Sequence, residues 1–263
     1  MWPDTIGGDR PAQVRTPSTW DGESELPGVI LLHGFGANPV LQEAYFQMSA
    51  YMDERPFFYV TPDGRFAEDG RQFWNASAAC CDYDNTGVDD VAYLTGLIEE
   101  MTQVYPVDAR RVTLLGHSNG GYMSYRMACD VPELLAGIAS LAGVGMPFGT
   151  ECADGAVNVL QMHGTLDSSV SFEDTTYLPG AKTSTADLAE RAGCDRASES
   201  AGTADYVYDI DGEETDVERW VEGCPTGYSA ELWTMNGGVH APAFTTAYRD
   251  DLADWLLSQE RVD

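Results

Sequence analysis

The residues best placed to do chemistry in this chain centre on Ser118, in the run Gly116-His117-Ser118-Asn119-Gly120. The run fits G-x-S-x-G, a pattern that a chain with 27 glycines produces readily by chance, and a serine there can also be a simple helix cap. Its setting is more telling. "RVTLLG" reads as a strand running in and "YMSYRMA" as a helix running out, the context in which a serine is held on a sharp, strained turn with Oγ projecting. A serine hydroxyl is a weak nucleophile until a base takes its proton, so a histidine is needed. The chain has four. His33 precedes the turn "GFG", His117 sits inside the elbow pointing away from its neighbour's Oγ, and His163 ends a strand just before an aspartate. That leaves His240, in "NGGVHAPAF", a loop between the last strand and the last helix. The acid that orients such an imidazole is read as Asp167, on a glycine-containing turn just past the strand "VNVLQMHG", with Glu173 and Asp174 as alternatives. Donors for a developing oxyanion are expected from the backbone N–H of Asn119 and, through the tight turn "LLHGFGAN", that of Phe35.

These residues must be held by elements, and the sequence pattern supplies them. "GVILLHG", "FFYVTPDG", "RVTLLG", "GIASLAG", "VNVLQMHG" and "AELWTMNGG" read as strands buried on both faces. Between them, "VDDVAYLTGLIEEMTQVY" puts Val88, Val91, Leu94, Ile98, Met101 and Tyr105 on one helical stripe, and "TADLAERAG" and "FTTAYRDDLADWLLSQ" behave likewise. "ADYVYDIDGEETDVERW" carries Asp211-Gly212 between two alternating runs and predicts a hairpin. No repeat, low-complexity tract or linker divides the chain. The expectation is a single α/β domain over residues 1–263, a mostly parallel sheet with helices on both faces, and active groups at the carboxyl ends of its strands.

Composition narrows the partners. There are 43 acidic and 14 basic residues, a net charge of −29, with Lys182 the single lysine. So negative a surface repels nucleic acid and anionic membranes, and suits a chain living in salt, where screening relieves self-repulsion. No apolar run reaches the length of a membrane span. The N-terminus "MWPDTIGGDRP" has neither the basic start nor the apolar run of a signal peptide, so the chain is cytosolic or has lost its signal. The six cysteines, Cys80, Cys81, Cys129, Cys152, Cys194 and Cys224, form no C-x-x-C knuckles. They point to three disulfides and an exported protein rather than to zinc. On an extended backbone Cys80 and Cys81 face opposite ways and bond different partners.

Taken in order, "LLHGFGAN", "TPDGRF", "FWNASAACC", "VDDVAYLTGLIEEM", "YPVDARRVTLLGHSNGGYMSYRMAC", "SLAGVG", "HGTLDSSV" and "LWTMNGGVH" give the chain a resemblance, from about Gly28 to His240. It resembles secreted α/β-hydrolases of the polyhydroxybutyrate depolymerase and feruloyl esterase type. The order Ser118, Asp167, His240 is also that of α/β-hydrolases. The resemblance implies an α/β-hydrolase fold, those three residues as the triad, and hydrolysis of short-chain, hydroxyalkanoate or aromatic esters without metal or organic cofactor. It also implies that Cys80 and Cys81 bond to Cys129 and Cys152, and Cys194 to Cys224. One departure follows His240: the family often has a threonine-tryptophan-proline run where this chain has Ala241, Pro242 and Ala243. Phe35, Phe73, Trp74, Tyr122 and Phe244 are candidates to line the cleft, with Phe35 and Trp74 taken as the substrate-binding pair. A serine peptidase on the same fold, or a binding protein with an inactive hydrolase fold, are the competing readings.

Overall fold

The apolar runs form the centre of one ten-stranded sheet in the computed structural model, which describes residues 2–262. In chain order the strands are β1 (Thr5–Ile6), β2 (Ala12–Arg15), β3 (Leu26–Leu32), β4 (Phe58–Thr61), β5 (Arg65–Phe66), β6 (Gln72–Phe73), β7 (Val107–His117), β8 (Gly137–Leu141), β9 (Asn158–Gly164), β10 (Glu199–Ala204), β11 (Thr215–Arg219) and β12 (Ala230–Met235). The helices are α1 (Pro39–Phe46), α2 (Asp90–Val104), α3 (Asn119–Asp130), α4 (Ala181–Ala192) and α5 (Thr246–Ser258). Strands β5 and β6 make a separate two-stranded ribbon, and the main sheet has the order β1-β2-β4-β3-β7-β8-β9-β12-β11-β10. From β4 to β12 neighbouring strands run parallel, while β1, β2, β11 and β10 are antiparallel additions at the two edges.

Alternation along the central strands builds two cores. Ile30, Leu32, Leu114 and Val159 pack with α2, α3 and α4 on one face. Val29, Leu31, Leu115, Leu160 and Met162 pack with α1 and α5 on the other. Helix pattern and strand pattern therefore agree on which side each element lies, the doubly covered parallel arrangement of an α/β-hydrolase. Among the described residues, no helix is long and apolar enough to cross a membrane.

Two expectations need correcting. The predicted hairpin forms, but its arms are β10 and β11, and Asp211-Gly212 lies inside the long connection between them rather than in a tight turn. Residues after β10 are drawn away by tertiary partners. Glu214 Oε1 accepts the N–H groups of Tyr206 and Val207, and Tyr208 N–H donates to Ala243 O at the approach to α5. The cysteine pairing also differs. Cys194 does bond Cys224, but Cys129 bonds Cys152, and Cys80 bonds its neighbour Cys81. The extended backbone that would separate the neighbours is absent: Ser77 and Cys80 exchange N–H···O bonds in a tight turn, and the Cys80–Cys81 peptide is cis.

Candidate active site

Ser118 sits between β7 and α3 with φ 55° and ψ −117°, a conformation that non-glycine residues rarely adopt. The surroundings impose it. Ser118 N–H donates to Leu141 O of the neighbouring β8 at 2.7 Å, and its carbonyl accepts Tyr122 N–H in the first turn of α3. The flanking glycines are required because strand and helix touch backbone to backbone. A Cβ on Gly116 would collide with the Gly120 carbonyl, and one on Gly120 with the Leu32 carbonyl. Oγ is thereby lifted above the carboxyl edge of the sheet.

The loops after β9 and β12 bring the other two residues to it, and these loops are laced together. Thr165 N–H donates to Met235 O and Leu166 N–H to Gly238 O, while Gly237 N–H donates to Thr165 Oγ1. His240 Nε2 lies 2.9 Å from Ser118 Oγ, and His240 Nδ1 lies 2.7 Å from Asp167 Oδ2. The carboxylate can only accept, so Nδ1 carries the proton and Nε2 is left to accept from the hydroxyl. The alternatives stand elsewhere: Asp174 accepts Gly180 N–H and the Thr183 hydroxyl at the start of α4, and Glu173 is exposed.

Asp167 is surrounded by donors. Burial of its side chain would raise its pKa, yet four donors outweigh that and hold it well below the usual carboxylate range. They are His163, His240 and the backbone N–H groups of Val170 and Ser169. His163 does not face Ser118 but serves the carboxylate. Its ring is buried; Nδ1 accepts from Gln161 Nε2, and Nε2–H is shared between Val170 O and Asp167 Oδ2, at 3.1 and 3.2 Å. The spacing of His163 and Asp167 in "HGTLD" was the available signal. His117 likewise braces His240, donating Nε2–H to His240 O at 3.0 Å. Burial pushes its pKa down to about 4, so it stays neutral.

Among the described residues, the backbone N–H groups of Phe35 and Asn119 have no hydrogen-bond partner. Gly34, next to Phe35, comes so close to the elbow that a Cβ there would lie 3.5 Å from Ser118 Cβ. The Asn119 side chain is buried and clamps the next loop, accepting Trp74 N–H at 2.7 Å and donating to Trp74 O at 2.9 Å. That loop is held from behind by Asp90, which accepts Asn75 N–H and pairs with Arg10 at 2.7 Å.

The aromatic wall is smaller than expected. Trp74 is fully buried, its indole N–H satisfied by His33 O at 3.0 Å, so it presents no surface to a ligand. Phe73, Tyr122 and Phe244 are buried too. Phe35 is half-buried, with the Arg71 guanidinium 4.4 Å from its ring centroid and Tyr83 edge-on at 5.3 Å. Tyr83 is 66% exposed, and Leu166 and Val239, next in sequence to Asp167 and His240, are exposed as well. Among the described residues, no group of three or more His, Cys, Asp or Glu is arranged to hold a metal ion.

The chain is 26% identical over 245 residues to feruloyl esterase B of Piromyces equi, covering 87% of this chain and 42% of that protein. It is 27% identical over 167 residues to the bifunctional acetylxylan esterase/xylanase XynS20E of Neocallimastix patriciarum, covering 64% of this chain and 23% of that one. It thus spans less than half the length of either relative. The solved acetyl xylan esterase from Aspergillus awamori superposes with a TM-score of 0.68 over 96% of this chain and 97% of its own, at 12% identity, which speaks to the fold. Residues 4–191, a stretch that includes Phe35, Ser118 and Asp167, match the model of the putative esterase family, and the chain belongs to that family.

Proposed function

We propose that the chain is an exported carboxylic-ester hydrolase working through an acyl-enzyme on Ser118. The observation that carries this is the unbroken line from Asp167 Oδ2 through His240 to Ser118 Oγ, with contacts of 2.7 and 2.9 Å. His240 Nε2 takes the hydroxyl proton as Oγ attacks the ester carbonyl. The oxygen of the tetrahedral intermediate accepts from Phe35 and Asn119 N–H. His240 then returns the proton to the leaving alcohol, and water repeats the two steps to release the acid. Asp167 stays ionised throughout, because its four donors favour the charged form, and it stabilises the imidazolium.

The acyl preference follows from the walls. Ala241 and Ala243 are exposed and small where the resembled family often has bulk, which leaves the His240 side of the cleft open. Each buried methylene contributes about 0.8 kcal/mol, but only where a pocket encloses it. An open cleft therefore favours acyl groups of about two to six carbons over long chains. Phe35 and Tyr83 offer ring surface to aromatic acids. The names of the relatives, acetylxylan and feruloyl esterase, fit both preferences. Three disulfides support export, since such bonds persist outside the reducing cytosol. The test is a panel of p-nitrophenyl esters of rising chain length, methyl ferulate and polyester films, with fluorophosphonate labelling of Ser118. Labelling at Ser118 and a short-chain peak are expected. Absence of labelling, or a preference for acyl chains beyond about twelve carbons, refutes the reading.

A further inference from the structure

Strand β9 is buried on both faces, yet it carries a polar side chain, Gln161, with no exposed surface. A primary amide in that position must find partners for its polar atoms, and Gln161 does. Its Oε1 accepts the hydroxyl of Tyr125 from α3 at 2.9 Å. Its Nε2 lies 2.9 Å from Gly143 O, just after β8, and 3.2 Å from His163 Nδ1, two residues along the same face of β9. The next acceptor, Met162 O, is farther at 3.5 Å and already takes the Ala142 N–H.

These contacts leave the amide one orientation. Gly143 O can only accept, so the atom facing it is the nitrogen; a turned-over amide would set oxygen against oxygen at 2.9 Å. One N–H goes to that carbonyl, and the other faces His163. Nδ1 of the imidazole therefore meets a donor and serves as an acceptor. On the far side of the ring, Nε2 meets Val170 O and Asp167 Oδ2, which accept only. His163 thus carries a single proton, on Nε2. A second proton, on Nδ1, would point at an N–H of Gln161, and the amide cannot turn to receive it while Gly143 O holds it.

The consequence falls on Asp167, because its Oδ2 also touches His240 Nδ1. When His240 takes the Ser118 proton it becomes a cation, and the carboxylate stabilises that cation. A second imidazolium on the same oxygen would offset the carboxylate's charge and repel the first. We propose that Gln161 is a positioning residue for catalysis. By presenting an N–H to His163 Nδ1, it lets that ring give Asp167 a hydrogen bond without a countercharge, so the carboxylate's full charge is kept for His240. That His240 is the base rests on the triad reading; the state of the His163 ring does not.

The test combines imidazole nitrogen magnetic resonance with kinetics. In protein made with isotopically labelled histidine, four rings give signals, and His163→Phe assigns the one in question. In the parent, His163 should show a protonated Nε2 and a bare Nδ1. Gln161→Glu replaces the donor with an acceptor. Both nitrogens should then carry protons, and kcat on p-nitrophenyl acetate should fall about tenfold with KM unchanged. Gln161→Met keeps the length and removes the donor. It should lower kcat about fivefold, yet by less than about twofold in a His163→Phe background, because the loss passes through that ring. A parent ring protonated on Nδ1 would overturn the proposal, as would an unchanged kcat in Gln161→Glu, or a Gln161→Met loss that recurs in full without His163. Should Gln161→Glu not fold, the parent spectrum and the methionine double-mutant cycle decide. A parent protein inactive on p-nitrophenyl acetate would sink the triad reading instead, even with the His163 ring found as described.

Discussion

Asp167 Oδ2 is shared by two imidazoles, and that sharing sets what substitutions at the site should do. Ser118→Ala and His240→Ala should each remove esterase activity by a factor of about 10⁴ or more, and Asp167→Asn should be severe with the circular dichroism spectrum unchanged. Asp174→Asn should leave activity intact, since Asp174 caps α4 rather than facing His240. His163→Phe removes one donor from the carboxylate while filling the same space. A hydrogen bond to a charged group is worth about 1.5–3 kcal/mol, so kcat/KM should fall about ten- to hundredfold. An unchanged kcat/KM would mean that His163 only fills space. That Ser118, Asp167 and His240 meet was legible in the sequence because strand–turn signals flank each of them. His163 was not, because one-at-a-time elimination has no place for a histidine that serves the acid instead of the nucleophile. Trp74 was misread for a related reason: aromatic type and position say nothing about which way a ring turns, and its indole N–H found a partner in the interior.

At the scale of elements, the six parallel strands and their helices followed from local pattern, since a run buried on both faces reads the same alone as in the sheet. What escaped were features decided by distant partners. The short strands β1 and β2 add to an edge that only the folded sheet creates, and the segment after β10 pairs towards α5 instead of completing a tight hairpin. Cysteine spacing could not separate neighbours from strangers, so the Cys80–Cys81 bond was invisible. The pairings differ in consequence. Cys194–Cys224 closes a separation of 30 residues, from the end of α4 to the loop after β11. The chain-entropy model gives such a bond about 3.5 kcal/mol. Cys194→Ser with Cys224→Ser should therefore lower Tm by about 7–14 °C in a scan at fixed scan rate. The Cys80–Cys81 pair encloses no such loop and gains nothing from that source.

For the whole molecule, 43 acidic residues against 14 basic make self-repulsion the main long-range force. Sodium chloride shortens the screening length from about 10 Å at 0.1 M to about 3 Å at 1 M, so Tm should rise across that range. A flat or falling Tm would show that the carboxylates are already neutralised pairwise, as Lys182 does for Glu218 at 2.5 Å. The spread of the site over the sheet has another consequence. Ser118, Asp167 and His240 follow β7, β9 and β12, and the strands between them are joined by successive parallel pairings. A slip of one residue in any of these pairings displaces a strand end by about 3.3 Å, more than a hydrogen bond tolerates. Turnover is thus a gauge of register. Protein refolded from urea with its disulfides intact should regain ellipticity in slipped and correct molecules alike, but ester hydrolysis, titrated against fluorophosphonate, should count only those in which all three pairings have closed true.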